Sequence, residues 1–476
     1  MLRPMDPVTD PRAIVAAVPE PALSVCRALV EAGHQAHLVG GAIRDILLGR
    51  PGHDVDIATS AHPADVTRLF GRRRTIPTGE KHGTVTVLVD HGGERHHVEV
   101  TTFRGEGAYS DGRRPDTVAF VPELVEDLRR RDFTINAIAF DPIALRIEDP
   151  FDGRSDLAAK VIRAVGDARE RFGEDGLRVM RAVRLAAQLG FRLDPATEAA
   201  IPGALPVLRK VSAERVRDEL LKLLAARKPS VGLELMQRTG MLGEVIPELS
   251  ASVGQTQNRF HAHDVWEHTL HTVDETRGDP IVRFAALLHD VGKPRTAAPK
   301  EDAPGELSFF RHEFVGAKMA EEIGRRLRLS NKEREKVVAL VGQHMFWYTP
   351  EWSDATVRRF INRVGLELLP ELFELRAGDV RARGFDEEPG KEIDELRARI
   401  EREVERASAL KVTDLAVDGK DVMRVLACPP GRIVGDVLRR LLERVLDDPS
   451  LNTREALERL IVEVAAEPAP PREPER

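Results

Sequence analysis

The sequence predicts an α/β domain followed by a long all-α region, and three observations carry that reading. Short β-rich runs alternate with glycine-rich turns in the first third of the chain. Beyond about Asp167 strand signals almost vanish, and apolar residues recur at helical spacing: Leu177, Met180, Val183 and Ala187, then Leu220, Leu223 and Leu224. The chain has 476 residues, 42% of them hydrophobic and 31% charged, which excludes a fibrous or mainly disordered protein and suits several domains. Within the α/β part, His37–Val39, Asp54–Ala58, Gly83–Val89 and His97–Thr102 read as strands. Ala42–Leu48 and Pro63–Phe70 read as helices between them. Thr296–Glu306, with Pro299, Pro304 and Gly305, reads as a surface loop. The proline-rich stretch 466–476 reads as a disordered tail.

Composition narrows the setting. There are 71 basic and 78 acidic residues, a net charge of −7, which argues against a general nucleic-acid coat but leaves room for a local basic surface. Cys26 and Cys428 are too few for a disulfide framework, so a reducing, cytoplasmic setting is expected. Met1–Arg12 has no basic-then-apolar signal pattern, and no apolar run reaches the length of a membrane span, so no membrane partner is expected. The sequence is silent on oligomeric state.

The first chemical constellation is Leu38-Val39-Gly40-Gly41-Ala42-Ile43-Arg44 followed by Asp54-Val55-Asp56. A strand runs into a double glycine, which lets the backbone approach a ligand closely. Arg44 is placed to reach a phosphate at that turn. Asp54 and Asp56 stand two apart on a strand, so both carboxylates point to one face. Hard oxygen donors on one face suit Mg²⁺, which also takes phosphate oxygens. Glu99 alternates with Val98 and Val100 on a later strand and is a candidate third acid.

These residues resemble a family. Gly40–Arg50 with Asp54–Ser60 is similar to the head of the class II tRNA nucleotidyltransferases, the CCA-adding enzymes and bacterial poly(A) polymerases of the polymerase β-like superfamily. Thr78–Val87, Glu99–Arg104 and Arg130–Ala137 resemble its following motifs, in order, and the likeness covers nearly the whole chain except the two ends. The resemblance implies a polymerase β-like nucleotidyltransferase head, Mg²⁺ on Asp54 and Asp56, and a ribose-sensing pair at Arg131 and Asp132. Which arginine of Arg129-Arg130-Arg131 faces the nucleotide is open in the residues themselves; the resemblance favours Arg131. The stretch Arg104–Phe120 resembles a loop whose presence in the family accompanies addition of the final A.

Glu174-Asp175-Gly176-Leu177-Arg178 reads as the start of a helix, with Arg181 and Arg184 at steps of three. Asp175 and Arg178 are expected to be neighbours one turn apart. A carboxylate only accepts hydrogen bonds and a guanidinium only donates. Cytosine and adenine both set an amino donor beside a ring-nitrogen acceptor, so one Asp–Arg pair satisfies either. Uracil and guanine turn a carbonyl toward the carboxylate. The resemblance implies this template role for Asp175 and Arg178, and nucleotide contacts for Arg181 and Arg184. Ser212–Lys222 reads as an amphipathic helix capped by Ser212 and resembles the family's neck motif. Arg209, Lys210, Arg227 and Lys228 make the region basic enough for tRNA phosphates.

A third constellation spreads over successive helices: His268, His289-Asp290, His312, His344 and Asp379. Mixed imidazole and carboxylate donors suit Mn, Ni, Fe or Zn. The ordered set resembles the HD phosphohydrolases, which implies a second divalent metal and hydrolysis of phosphate esters, or a tRNA-binding scaffold. His261, His263 and His271 lie beside it and leave the ligand choice open.

The expected organisation is a nucleotidyltransferase head at 1–165, a helical neck at 166–250, an HD-type helical domain at 251–400, a helical body and tail at 401–465, and the terminal stretch 466–476. The expected activity is template-independent addition of CMP and AMP from CTP and ATP to the tRNA 3′ end. The alternatives are a poly(A) polymerase, or an HD hydrolase whose head only binds nucleotides.

Overall fold

The structure is a computed structural model and describes residues 10–52, 55–79, 82–105, 119–258, 262–300, 303, 306–384, 390–406 and 411–467. It divides into two compact units, Met1–Pro247 and Glu248–Arg476. Asp54, His261, residues 106–118 of the expected loop and residues 468–476 of the expected tail lie outside the described residues. Among the described residues no single helix is long and apolar enough to cross a membrane.

The first unit is built on a seven-stranded mixed sheet. Its strands are β1 (Ala36–Val39), β2 (Asp56–Thr59), β3 (Thr75–Gly79), β4 (Thr84–His91), β5 (Glu94–Thr102), β6 (Ala139–Asp141) and β7 (Arg146–Glu148). The order is β3-β4-β5-β2-β1-β6-β7. Neighbours are antiparallel except β2 and β5, which run parallel. Period-two alternation explains β4 and β5: Val85, Val87, Val98 and Val100 are buried, whereas Glu99 is exposed. All four residues of β1 are buried, as a central strand requires. Phe103, Phe133 and Phe140 are fully buried in this unit.

The strand expected over Asp54–Ala58 is described over Asp56–Thr59, and the helix Pro63–Phe70 has the expected bounds. The β6–β7 hairpin has no counterpart in the sequence reading. Each of its strands has three residues, too few for a periodicity signal, and its turn places Leu145 at φ +53°, where a glycine signal would be expected. Helices Ala168–Glu174, Leu177–Leu189, Pro195–Leu208, Ala213–Leu224 and Pro229–Arg238 follow the sheet in the chain. Leu177–Leu189 is the hub, packed against Ala213–Leu224 and Pro229–Arg238. Ser212 occupies the N-cap position of Ala213–Leu224, but its side chain makes no capping bond.

The second unit is helical. Val265–Glu275, Pro280–Leu288, His312–Arg326, Asn331–Gln343 and Leu369–Arg381 pack together around a buried polar centre. Gly390–Arg406, Gly419–Leu426, Arg432–Asp447 and Arg454–Ala466 follow. The expected loop at Thr296–Glu306 contains a short strand, Ala298–Pro299, paired with Leu307–Ser308.

Candidate functional site

The first site grows from the end of β1. Gly40 has φ +78°, a conformation L side chains avoid, and a Cβ there would lie 3.1 Å from Arg131 Nη1 and 3.7 Å from Asp56 Oδ2. Glycine therefore lets the backbone turn directly beneath an arginine and an aspartate. Val39 is opposite Asp56 across β1 and β2, and Ile57 is opposite Val100 across β2 and β5. One step back along both parallel strands, Asp56 stands beside Glu99 on the same face. Two neighbouring carboxylates repel, and a cation between them relieves that cost. The donor set fits a hard divalent ion.

Arg131 is the arginine of its run that reaches this turn. Arg129 lies outside, beside Glu126 at 3.4 Å. Arg130 donates to Asp127 Oδ1 at 2.7 Å and to the Arg104 carbonyl at 3.1 Å. Arg131 Nη2 is 3.4 Å from Asp127 Oδ2, and its buried Nε has no hydrogen-bond partner among the described residues. Burial opposes ionisation of Asp127, but Arg130 and Arg131 outweigh it and hold the carboxyl below its usual range.

Asp132 is the hub of the polar network. It accepts from the Phe133 amide at 2.9 Å, Asn136 Nδ2 at 3.0 Å and Arg181 Nε at 2.7 Å. Burial works against its charge, yet Arg181 and Asn136 overcome that and hold the carboxyl well below the usual range. Arg44 joins the same network: Nη1 donates to Asn136 Oδ1 at 2.9 Å while Nε and Nη2 fork onto Asp45 at 2.9 Å. Gly41 is the first residue of the helix that carries Arg44.

Asp175 and Arg178 are a turn apart, the Arg178 amide donating to the Asp175 carbonyl at 3.0 Å, but their side chains take other partners. Asp175 is not on the helix. It has extended backbone between Ala168–Glu174 and Leu177–Leu189, and its carboxylate takes Arg215 Nη2 at 2.7 Å. The break lies at Asp175 itself, at φ −143° and ψ 108°; Gly176 is already helical, and it is glycine because a Cβ there would meet the Leu208 backbone nitrogen at 2.5 Å. Arg178 pairs with Glu174 and donates to the Arg171 carbonyl at 2.8 Å and the Arg130 carbonyl at 2.9 Å. Arg184 donates to Glu219 at 2.6 Å and Gln188 at 2.7 Å. The basic neck is partly committed as well, since Arg209 donates to Glu244 at 2.6 Å. Asp127, Asn136 and Arg215 belong to the network without having been singled out. Asn136 and Arg215 lie inside motifs the sequence reading quoted.

The second site is buried in the helical unit. His268, His289 and Asp379 present converging ligand atoms, and so do Asp290, His312 and His344. Each imidazole is oriented from behind. Nδ1 faces a carbonyl on His268 (Ala382, 3.2 Å), His289 (Ala286, 2.7 Å), His312 (Phe309, 2.8 Å) and His344 (Val341, 2.7 Å). A carbonyl can only accept, so Nδ1 carries the proton and Nε2 turns its lone pair inward. Asp290 spans both groups: Oδ2 is 3.1 Å from His289 Nε2 and Oδ1 is 3.3 Å from His312 Nε2. Asp379 Oδ1 is 3.1 Å from His268 Nε2, and Arg376 holds Oδ2 at 2.7 Å. Burial, reinforced by His289 and His312, pushes His344 down to about 3, which keeps it neutral. Imidazole and carboxylate donors in this arrangement fit divalent metal ions. His263 and His271 contact each other, with ring centroids 4.6 Å apart, and belong to neither group.

Comparison with known proteins finds family matches in both units. Residues 36–163 match the poly A polymerase head domain, 190–252 the probable RNA- and SrmB-binding site of polymerase A, and 264–403 the HD domain. A CCA-adding enzyme of Lactobacillus johnsonii is 52% identical over 47% of this chain and 54% of its own length. The chain thus spans about half the length of that relative. A CCA-adding enzyme of Geobacillus stearothermophilus is 37% identical over 92% of this chain and 95% of its own. The chain belongs to the CCA-adding enzyme family. A crystal structure of the Bacillus stearothermophilus CCA-adding enzyme in complex with CTP is 33% identical, covers 93% of this chain and 96% of that one, and superposes with a TM-score of 0.71. A Thermotoga maritima CCA-adding enzyme complexed with tRNA shares the fold at 18% identity and a TM-score of 0.54, covering 97% of this chain and 100% of that one. The nucleotidyltransferase head and the HD domain of this CCA-adding family member both imply divalent metal use.

Proposed function

We propose that this chain adds CMP and then AMP, from CTP and ATP, to the 3′ end of tRNA in the cytoplasm. The observation that carries the reading is a branched network beside Gly40 and Asp56: Arg131 and Asn136 lead to Asp132 and Arg181, while Asp127 and Arg130 lead to Arg178, whose amide donates to the Asp175 carbonyl at 3.0 Å. It joins an acid-lined turn to an acid–guanidinium couple in one unit. Asp54 and Asp56 would hold Mg²⁺, with Glu99 as a third acid. The chemistry such an ion would supply there is polarisation of the α-phosphate and easier ionisation of the attacking hydroxyl. The RNA 3′-oxygen bonds to the α-phosphorus, the bond to the bridging oxygen breaks, and pyrophosphate leaves with that electron pair. The hydroxyl proton passes to solvent or to Glu99. Arg131 and Asp132 face the ribose. Asp175 accepts the base's amino group and Arg178 donates to its ring nitrogen, each exchanging a protein partner, Arg215 or Glu174, for the base. Arg181 and Arg184 hold the helix that carries Arg178, and Arg44 steadies the turn.

The second unit carries a second activity. Its six candidate ligands would hold divalent ions of the Mn, Ni, Fe or Zn type, Asp290 lying between the two groups, and the chemistry such ions would supply is hydrolysis of phosphate esters.

The first reading is tested by supplying CTP and ATP separately to a tRNA transcript lacking CCA. Two C residues with CTP alone, and A only after them, are expected. AMP incorporation into unrelated RNA without CMP would contradict it in favour of poly(A) synthesis.

A further inference from the structure

In the polar network of the first unit, Asn136 holds two different parts of the nucleotide site at once. Its side chain is buried. Oδ1 accepts from Arg44 Nη1 at 2.9 Å, and Nδ2 donates to Asp132 Oδ1 at 3.0 Å. The partners dictate which end of the amide is which, because a guanidinium only donates and an ionised carboxylate only accepts. The Asn136 carbonyl also accepts from Arg131 Nη1 at 3.5 Å. Arg44 is carried by the helix Gly41–Leu47, which opens at the glycine turn, and Asp132 takes Arg181 on its other oxygen.

The backbone under Asn136 is clamped. Thr134–Asn136 forms a tight helical turn, closed by the Ala137 amide on the Thr134 carbonyl at 3.0 Å. The Thr134 hydroxyl donates to buried Asp156 at 2.7 Å. The helix Gly153–Ala159 comes so close that a Cβ on Gly153 would run into the Thr134 carbonyl. Ile135 and Ile138 are fully buried. An amide fixed from behind has little freedom, so displacement of one partner is felt by the other. Few side chains could replace it. Aspartate would still accept from Arg44 but would set an oxygen against Asp132, and leucine would leave each partner one buried hydrogen bond short.

We infer that Asn136 is a positioning residue that couples the sugar end of the bound nucleotide to its phosphate end, so that a 2′-hydroxyl seated at Asp132 sets Arg44 and the glycine turn for attack at the α-phosphorus. This deepens the nucleotidyltransferase reading of the first unit and rests on it. Asn136 touches no substrate atom and acts only through Arg44 and Asp132. The consequence is that ribose is selected in the rate of nucleotide transfer as well as in binding.

The test compares CTP with 2′-deoxy-CTP on a tRNA transcript lacking CCA, using the full-length protein and Asn136→Leu. Wild type is expected to lose kcat about tenfold or more with the deoxy substrate, the penalty of an unfilled hydrogen-bonding site. Asn136→Leu is expected to lower kcat for CTP about 100-fold, as a small misplacement of reacting groups does, with KM changed by less than about threefold. Its kcat values for the two substrates should then lie within about twofold of each other, since the sugar no longer reports to the phosphate end. A merely structural asparagine would lower both kcat values by one factor and leave their ratio as in wild type. That unchanged ratio, in a variant shown to be folded by circular dichroism, would overturn the coupling. Asn136→Ala removes the same two bonds without adding bulk and is read in the same way where the leucine variant does not fold. Equal kcat for the two substrates in wild type would overturn the coupling without any variant. A wild type that adds no CMP to this tRNA would instead overturn the nucleotidyltransferase reading beneath it.

Discussion

The two polar centres of this chain follow opposite electrostatic plans. In the first unit carboxylates meet guanidinium groups: Asp132 with Arg181, Asp127 with Arg130, Glu219 with Arg184, Glu174 with Arg178, Asp175 with Arg215. Charge there is balanced by the protein itself. In the second unit imidazole nitrogens face one another, His268 and His289 at 3.3 Å and His312 and His344 at 3.4 Å, with two buried aspartates among them. Inward lone pairs gain nothing from each other. On the proposed function, the ion-paired part of the first centre would exchange partners when a substrate arrives, and the second centre would be completed by divalent ions.

That contrast can be broken at several points. The largest effect is expected at base choice. Arg178→Ala removes the only donor of the proposed couple, and the preference for CTP and ATP over UTP and GTP should fall about 100-fold or more, read as ratios of kcat/KM. Unchanged selectivity would show that the base is chosen elsewhere. In the second unit, chelation should lower stability by about 3 kcal/mol, the linkage expected of a ligand held at roughly 100 times its Kd. His312→Ala should retain one Zn²⁺ where the parent retains two, measured after gel filtration. The scaffold itself is probed by Asp132→Ala, which leaves Arg181 without its partner. Because Arg181 is about a third exposed, water replaces part of the loss, and roughly 2 kcal/mol of destabilisation is expected by denaturant titration.

The pH dependence has a definite sign. Asp127 and Asp132 both have folded values depressed below the ordinary 3.8. Their contribution is present above that value and is lost as pH falls through the depressed folded values. The first unit should weaken below pH 4, and Asp132→Asn should flatten that slope. The smallest effect is expected for Arg215→Ala. It releases Asp175 from its protein partner, so KM for CTP should shift by less than about fivefold, with kcat nearly unchanged.

Much of the head was legible because its signals are local. Alternation in β4 and β5 and the double glycine after β1 are read within a few residues. The register that sets Asp56 beside Glu99 was foreseen only as a shared floor, since pairing of strands distant in sequence is not written in either strand. The Asp175–Arg178 couple shows where local reading fails. Spacing of three is a neighbour on a continuous helix, but Asp175 is extended just ahead of the helix, and the partner of its carboxylate lies 40 residues away. Nothing local announces such a partner. In the second unit the histidines of the ordered motif converge as a set, whereas His263 and His271, equally placed in sequence, turn to each other. Only packing of the helices separates the two groups.

The most direct measurement compares wild type, Asp56→Ala and His289→Ala on tRNA lacking CCA, with radiolabelled CTP and ATP, alongside phosphoester hydrolysis. Asp56→Ala should lose nucleotide addition by about 1,000-fold or more and keep hydrolysis, while His289→Ala should do the reverse. Full nucleotide addition by Asp56→Ala, or its loss in His289→Ala with folding intact, would contradict the assignment of the two chemistries to two separate centres.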